Sequence, residues 1–432
     1  MKRDLLYPLI VVVTLASCGV KETKPDFIRT DKTSFLRNGK PYTFMGTNFW
    51  YGINLGSKGP GGDRERLIRE LDQLAAMGVK NLRVMGGSEG PDTEGYRMLP
   101  SLQPSPGKYN QDVLEGLDFL LAEMAKRDMV AVMCMNNFWN WSGGVGQYLV
   151  WAGAAVSIPN PSAPGGNWDE YQRFAASFYS NEKAMKMFND HLKVVINRKN
   201  SITGILYRED PVIMSWELAN EPRAVDNQAA FYKWVENTSN LIREMDPNHL
   251  ITTGSEGNTS GPFAATDVFK DHNFKNIDYA TIHLWVQNWA FYDPYKADST
   301  YGPSIDFARS YIKGQLEKAA PLGKPLVLEE YGISRDTNNH AAGTPVTVRD
   351  RFYTEVFEEV RKEIAKGNSA MAGVNFWAWG GEGRPAVPKG MWKLGDNFIG
   401  DPPHEPQGWY SIFDTDSSTI RIIREYAGKI NK

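Results

Sequence analysis

The sequence predicts an α/β protein, a single (β/α)8 TIM barrel with long loops at the C-terminal rim of its strands. Three observations carry this expectation. Eight short β-rich apolar runs alternate with amphipathic stretches between residues 42 and 378, the pattern of repeated βα units around a parallel sheet. No Gly-rich dinucleotide fingerprint follows the first run, which argues against an open, doubly wound sheet. The long irregular segments 136–180, 254–276, 283–303 and 380–410 each begin at or just after a strand end, and that rim is where barrel proteins build their sites.

The strands are expected at Tyr42–Gly46, Asn81–Met85, Met129–Met135, Val212–Trp216, Leu250–Thr253, Tyr279–Ile282, Pro325–Leu328 and Gly373–Trp377. The first helix shows its period clearly. Asp63 is placed to cap it, Leu67, Ile68, Leu71, Leu74 and Ala75 recur at helical spacing, and Gly78 ends it. Further helices are expected at Gln111–Arg127, Glu182–Asn197, Asn227–Met245, Ser304–Ala320, Val348–Ala365 and Ser418–Ile430. No repeat, low-complexity stretch or linker interrupts this body, so one domain over residues 28–432 is expected.

The first residues read differently. Lys2 and Arg3 precede an apolar run from Leu5 to Leu15, too short to span a bilayer and suited to an export signal. Leu15-Ala16-Ser17-Cys18 is similar to a bacterial lipobox. Residues 1–17 are therefore expected to be a lipoprotein signal peptide, with Cys18 acylated and residues 18–27 a polar tether. That would place the protein on the bacterial outer membrane, facing the periplasm or the cell surface. Cys134 is the one remaining cysteine, which rules out a disulfide framework in the mature chain and suits a small buried side chain.

Lys and Arg number 48 against 51 Asp and Glu, a balance that gives no basic stripe and no reason to expect a nucleic-acid partner. The six histidines form no ligand-spaced pair, so no metal and no cofactor is expected. A chain of this length buries a large core without staples, and a monomer is expected. Thirteen Trp and nineteen Tyr supply core packing for the most part, with several left to line a groove.

Two runs concentrate the chemistry: Ser215-Trp216-Glu217-Leu218-Ala219-Asn220-Glu221-Pro222-Arg223 and Leu326-Val327-Leu328-Glu329-Glu330-Tyr331-Gly332. Each is a strand-like stretch ending in glutamate where the chain must turn. Pro222 restricts Glu221 and stops a helix from running through it. Glu330 follows a buried-looking strand, where an acid is costly unless paired or used. Strand alternation sends Glu329 and Glu330 to opposite faces, and local pattern alone does not choose between them. Glu217 reads as a structural acid, neutralised by an arginine within the strand layer. A closed barrel brings both runs to one rim, and two carboxyl groups facing each other there are what glycosidic bond cleavage needs.

Asn220-Glu221-Pro222 on a fourth strand and Glu330-Tyr331-Gly332 on a seventh resemble glycoside hydrolase family 5, in the clan of retaining barrel glycosidases. That resemblance implies Glu221 as acid/base and Glu330 as nucleophile. It extends to Arg83 in Asn81-Leu82-Arg83-Val84, to His283 after the sixth strand, and to Trp377 as the floor beneath the reacting sugar. Gly46-Thr47-Asn48-Phe49-Trp50-Tyr51, Asn136-Asn137-Phe138-Trp139, Gly143-Gly144, Gln147-Tyr148 and Trp151 are similar to the mannan-cleaving branch. Trp50, Asn137, Trp139, Asn220 and Trp285 are thereby implied in substrate binding, with Arg223 and Glu256 holding sugars on the leaving-group side. One position departs. Trp285 in His283-Leu284-Trp285 stands where many members carry a tyrosine bonded to the nucleophile, and Tyr331 and Tyr292 are the candidates to replace it.

What the resemblance implies is a retaining endo-β-1,4-mannanase acting on mannan, glucomannan or galactomannan through a covalent glycosyl-enzyme. Arg83 would keep Glu330 ionised, while burial and the neighbouring charge would keep Glu221 protonated. The retaining geometry has carboxyl groups about 5–5.5 Å apart, against about 6.5–9.5 Å for inversion. The alternatives are an exo-acting β-mannosidase with the same pair, closed at one end by the segment 380–410 with Trp392, His404 and Trp409, and a non-catalytic glycan-binding surface lipoprotein.

Overall fold

The computed structural model describes residues 26–432; the expected signal peptide, Cys18 and the expected tether up to residue 25 lie outside the described residues. Eight parallel strands form the core: β1 (Phe44–Asn48), β2 (Asn81–Met85), β3 (Val130–Cys134), β4 (Ile213–Glu217), β5 (Leu250–Thr252), β6 (Ala280–Leu284), β7 (Leu326–Tyr331) and β8 (Met371–Phe376). They lie side by side in the order β5-β4-β3-β2-β1-β8-β7-β6. All eight are buried along their whole length, which explains why they read as unbroken apolar runs rather than as alternation.

The seam between β5 and β6 lacks a regular ladder and is stitched by other bonds. Asp278 N donates to Ile251 O at 2.8 Å and His283 N to Glu256 O at 3.1 Å. Thr252 Oγ1 donates to Tyr279 O at 3.0 Å and Thr281 Oγ1 to Ser255 O at 2.7 Å. The sheet is thus nearly closed into a (β/α)8 TIM barrel, and β8 comes to lie opposite β4.

The helices between strands follow the expected pattern, but the segment 136–180, expected to be irregular, carries two helices, Gly144–Ala152 and Trp168–Ala176. The helix expected first spans Arg64–Ala76, after a single turn at Gly52–Leu55, and the Asp63 side chain accepts from Arg66 N at 2.9 Å as its cap. The helix expected to start at Ser304 starts instead at Ala297 and runs through Pro303. Proline forgoes its N–H bond there and crowds the carbonyl one turn back, while Tyr301, Ser304, Ile305 and Ala308 keep one buried face.

The N-terminal end of the barrel is plugged by an element the sequence reading lacks. Arg29–Asp31, Ser34–Arg37 and Lys40–Tyr42 form a three-stranded antiparallel sheet. Its Phe35 and Tyr42 pack with Phe44, Val130, Met214, Leu250, Tyr279, Val327 and Ala372. Tyr42, expected to open the first barrel strand, belongs to this plug. Asp26 and Phe27 are seated on the body as well, not on a tether: Asp26 accepts from Arg37 Nε at 3.1 Å and Asn38 N at 2.8 Å, and Phe27 meets the His249 ring edge-on.

Candidate active site

Glu221 sits just past the end of β4, and its backbone is unusual. Its φ is +48°, a left-handed conformation that costs about 1–3 kcal/mol for a residue with a side chain. Neighbouring turns hold it there, with Glu221 N donating to Gly254 O at 3.0 Å and Asn220 N to Asn136 O at 2.9 Å. Gly254 permits this approach, because at its φ of +76° a Cβ would lie 2.0 Å from Ala219 O.

Glu330 comes from β7, where the pairing with β6 slips: Leu328 pairs with Ile282, but Glu330 pairs with His283. The extra residue is a bulge, and it overrides the alternation expected from the sequence. Glu329 and Glu330 therefore both reach Arg83 and His283 instead of facing opposite ways. Glu329 Oε2 lies 3.6 Å from Arg83 Nε and 3.5 Å from His283 Nε2. Glu330 Oε1 accepts from Arg83 Nη1, and its Oε2 lies 3.3 Å from His283 Nδ1.

Arg83, on β2, is the hub beneath these acids. Its Nε and Nη2 grip Glu217 at 2.9 and 2.5 Å, Nη2 donates to Asn220 Oδ1 at 2.9 Å, and Nη1 reaches Asn48 Oδ1 at 3.1 Å. Glu217 is thus the arginine-neutralised structural acid the strand pattern suggests. His283 Nδ1 lies 2.7 Å from Glu221 Oε1, and Trp139 Nε1 donates to Glu221 Oε2 at 2.6 Å. One oxygen of Glu221, one of Glu330 and a ring nitrogen of His283 all lie within 4.8 Å of one another. Neither Tyr331 nor Tyr292 replaces the missing tyrosine, since both hydroxyls are buried without a hydrogen-bond partner. Arg83 and His283 orient Glu330.

The charge distribution reverses one expectation. Burial pushes Glu330 up to about 8, with His283 and Arg83 only partly opposing it and Glu221 and Glu329 adding to it. Glu221 is also raised by burial, but its hydrogen bond and charge contact with His283, then Arg223 and Trp139, outweigh this and hold it near 2. His283 is lowered by burial and raised more strongly by Glu330, Glu221 and Glu329, to about 10. Burial thus favours the protonated form of Glu330 and His283 the ionised form of Glu221, the reverse of the expected polarity. His283 Nδ1 also lies closer to Glu221 than to Glu330, at 2.7 against 3.3 Å.

Around the pair is a cavity of about 370 Å³. It is lined by Trp139, Trp168, Gln172, Arg223 and Glu256 from the loops after β3, β4 and β5, and by Trp285, Asn288, Trp377, Pro402, His404 and Glu405 from the loops after β6 and β8. Six of the 13 tryptophans line it, Trp141 and Trp289 included.

The sequence profile described as GH family 5 beta-mannosidase-like matches residues 25–432. The chain belongs to glycoside hydrolase family 5. The mannan endo-1,4-beta-mannosidase 1 of Arabidopsis thaliana is 30% identical over 82% of this chain and 82% of its own. The crystal structure of a glycoside hydrolase family 5 mannosidase from Rhizomucor miehei superimposes with a TM-score of 0.86 at 40% identity, covering 94% of this chain and 98% of that one. A mutant of that enzyme, solved in complex with mannosyl-fructose, matches equally well at 41% identity over 93% of this chain and 97% of its own.

Within this family 5 fold, the residues singled out from the sequence divide into two layers. Trp139, Asn220, Glu221, Arg223, Glu256, Trp285, Glu330 and Trp377 line the cavity. Arg83, Asn137, His283 and Trp50 stand behind it. Asn137 Oδ1 accepts from Trp139 N at 2.9 Å and Asn220 Nδ2 at 3.1 Å, so it positions two lining residues. Trp50 Nε1 donates to Gly400 O at 3.0 Å, bracing the loop after β8 rather than facing a sugar. The sequence reading missed Trp141, Trp168, Gln172, Asn288, Trp289, Pro402 and Glu405. Only the aromatic richness of the loops hinted at some of them.

Proposed function

We propose that this glycoside hydrolase cleaves β-1,4-mannosidic bonds of mannan, glucomannan or galactomannan with retention of configuration. The observation that carries the reading is the placement of Glu221 and Glu330 oxygens within 4.8 Å, which suits a shared anomeric carbon and leaves no room for the water an inverting enzyme holds between its acids. Glu330 attacks the anomeric carbon, forming a carbon–oxygen bond as the leaving oxygen departs with a proton from Glu221. Glu221 then takes a proton from water, whose oxygen attacks the same carbon and frees Glu330.

Attack needs the proton on Glu221, whereas His283 favours its ionised form and burial favours a protonated Glu330. Both arrangements hold the same number of protons among three groups in mutual reach, so substrate binding has only to redistribute them. Arg223 and Glu256 support a sugar on the leaving-group side, and Trp377 and Trp285, whose rings meet edge-on at 5.9 Å, support the reacting one. Residues of one chain line the cavity, which supports a monomer. The test is proton NMR of freshly cleaved mannohexaose: the β-anomer must appear first, and initial release of the α-anomer rejects the mechanism.

Relatives such as the Arabidopsis enzyme are named for endo action, and that reading carries over here. A second reading, removal of single sugars from the non-reducing end, is favoured by Pro402, His404 and Glu405, which bring the long loop after β8 into the cavity wall. A product ladder from reducing-end-labelled mannohexaose separates the two.

The lipobox-like run supports anchoring at an outer membrane through Cys18. The described chain enters beside the plug sheet, at the barrel end away from the cavity, so such an anchor leaves the cavity mouth facing outward. Loss of palmitate labelling in Cys18→Ala tests it; undiminished labelling rejects it.

A further inference from the structure

We propose that Glu89, a buried acid on the loop after β2, is a positioning residue for the acid/base: it holds the Gly143–Gly144 turn against Asn137, and through Asn137 and Trp139 it sets where the Glu221 carboxyl group points. This rests on the mannoside-cleaving reading above and adds to it a residue that does not line the cavity.

The first argument is a chain of contacts. Glu89 grips the turn with two bonds, its Oε2 accepting from Gly144 N at 2.8 Å and its N donating to Ser142 O at 2.6 Å. The turn is bound in its own right to Asn137. Val145 N donates to Asn137 O at 2.9 Å, and Asn137 Nδ2 donates to Ser142 Oγ at 3.1 Å. Asn137 Oδ1 accepts from Trp139 N and from Nδ2 of Asn220, the residue before Glu221. Trp139 Nε1 then donates to Glu221 Oε2. Protein hydrogen bonds alone therefore join Glu89 to the acid/base.

The second argument is the lack of slack. Gly143 and Gly144 have φ of +87° and +58°. A Cβ on Gly143 would lie 2.2 Å from Glu89 O, and one on Gly144 would lie 2.1 Å from Asn137 O. The turn is wedged between the two residues, so a displacement at Glu89 is passed to Asn137 instead of being absorbed. Glu221 sits at a φ of +48°, a strained conformation that persists only while its surroundings over-determine it.

The third argument is the cost of the acid. Glu89 is 1% exposed, and its Oε1 is buried with no hydrogen-bond partner among the described residues. Arg97, the positive charge acting on it, bonds instead to Glu94 and Gln147 at 2.7 and 2.6 Å. Burial pushes the Glu89 carboxyl up to about 8, against the Gly144 bond, Tyr148 and Arg97. Stability does not favour an acid in this place. At neutral pH it is a protonated group whose used atom is the acceptor facing Gly144, and a glutamine reproduces that atom.

The experiment measures kcat/KM on mannobiose and on phenyl and 2,4-dinitrophenyl β-mannopyranosides for the wild type, Glu89→Gln, Glu89→Ala and Glu89→Asp. Dinitrophenolate departs without a proton, whereas phenol and mannose need one from Glu221. Glu89→Ala is expected to lose about 10–100-fold on mannobiose and the phenyl mannoside, the scale of a displaced catalytic group, and to change little on the dinitrophenyl mannoside. Glu89→Asp, a methylene too short to reach Gly144, is expected to do the same. Glu89→Gln is expected to match the wild type on all three. A structural residue would instead lower all three substrates by one factor. That result overturns the proposal, as do wild-type rates in Glu89→Ala, a Glu89→Gln as impaired as Glu89→Ala, or Glu89→Ala and Glu89→Asp both unfolded at assay temperature. A wild type inactive on every mannoside takes down the parent reading instead.

Discussion

His283 Nδ1 stands 2.7 Å from Glu221 Oε1, and the same nitrogen lies 3.3 Å from Glu330 Oε2. One imidazolium thus sets the proton balance of both reacting acids. The pair titrates as a unit, and between about 2 and about 8 it holds one proton. Attack needs that singly protonated form, so kcat/KM is expected to stay level through mildly acidic pH and to fall as pH rises through about 8. In His283→Ala the nearby positive charge is gone, both carboxyl groups become harder to ionise, and both limbs move to higher pH. A pH–rate profile checks this; an alkaline limb unmoved in the variant contradicts it.

The two acids differ in what their loss leaves behind. Glu221→Ala is expected to lower kcat on manno-oligosaccharides by about 10²–10⁴-fold, the usual worth of a general acid. Aryl mannosides with a good leaving group need no such acid to form the glycosyl-enzyme. Azide should then restore turnover and give β-mannosyl azide, because the covalent step on Glu330 survives. In Glu330→Ala azide should give the α-product instead. Chromatography of the two azides decides the assignment, and the same anomer from both variants refutes it.

The strands were legible because each is buried on both faces and so reads as a compact apolar run; Val130–Cys134 and Ile213–Glu217 lie within a residue or so of expectation. The plug sheet was not, since Arg-Thr-Asp and Lys-Pro-Tyr are three-residue strands with no period. The catalytic pair was legible from strand ends and the family pattern. The bulge at Glu329 was not, because nothing local marks where a register slips. Trp50 and Asn137 lie in the right loops, but adjacency to a strand end does not separate a residue facing the cavity from one bracing its wall. Glu405 was hidden because its place depends on the turn wound around Asp401.

Below the cavity wall, Asp416 joins two arginines that are fully buried. Its Oδ2 accepts from Arg335 Nη2 at 2.5 Å and Arg349 Nη2 at 2.6 Å, and both arginines are 0% exposed. Burial raises the Asp416 carboxyl, but Arg349 and Arg335 outweigh it and the net shift is downward. A carboxyl group lowered in the folded state stabilises fully above its unfolded value, about 3.9, and loses that contribution as pH falls through the folded value. Asp416→Asn leaves two buried guanidinium groups without their counter-charge. A loss of about 3–5 kcal/mol at neutral pH is expected, shrinking below about pH 4. Urea melts at two pH values measure it, while kcat per folded molecule stays unchanged.

Arg223 joins stability to substrate choice. It grips Glu256 with two bonds of 2.5 and 3.0 Å, donates to Gln172 Oε1 at 2.8 Å, and lays its guanidinium 4.8 Å from the centre of the Trp139 ring. Trp139 in turn donates to Glu221. Arg223→Ala strands the buried Glu256 carboxylate, at a cost of about 3–5 kcal/mol, and releases the ring that holds the acid. Arg223→Ala/Glu256→Gln removes the stranded charge and is expected to recover much of the stability, but not the grip on Trp139 or the leaving-group sugar. The double variant should therefore melt close to wild type yet keep a raised KM on mannotriose, with kcat/KM on an aryl mannoside less affected. If it recovers mannotriose KM along with its melting temperature, Arg223 is a structural ion-pair partner and nothing more.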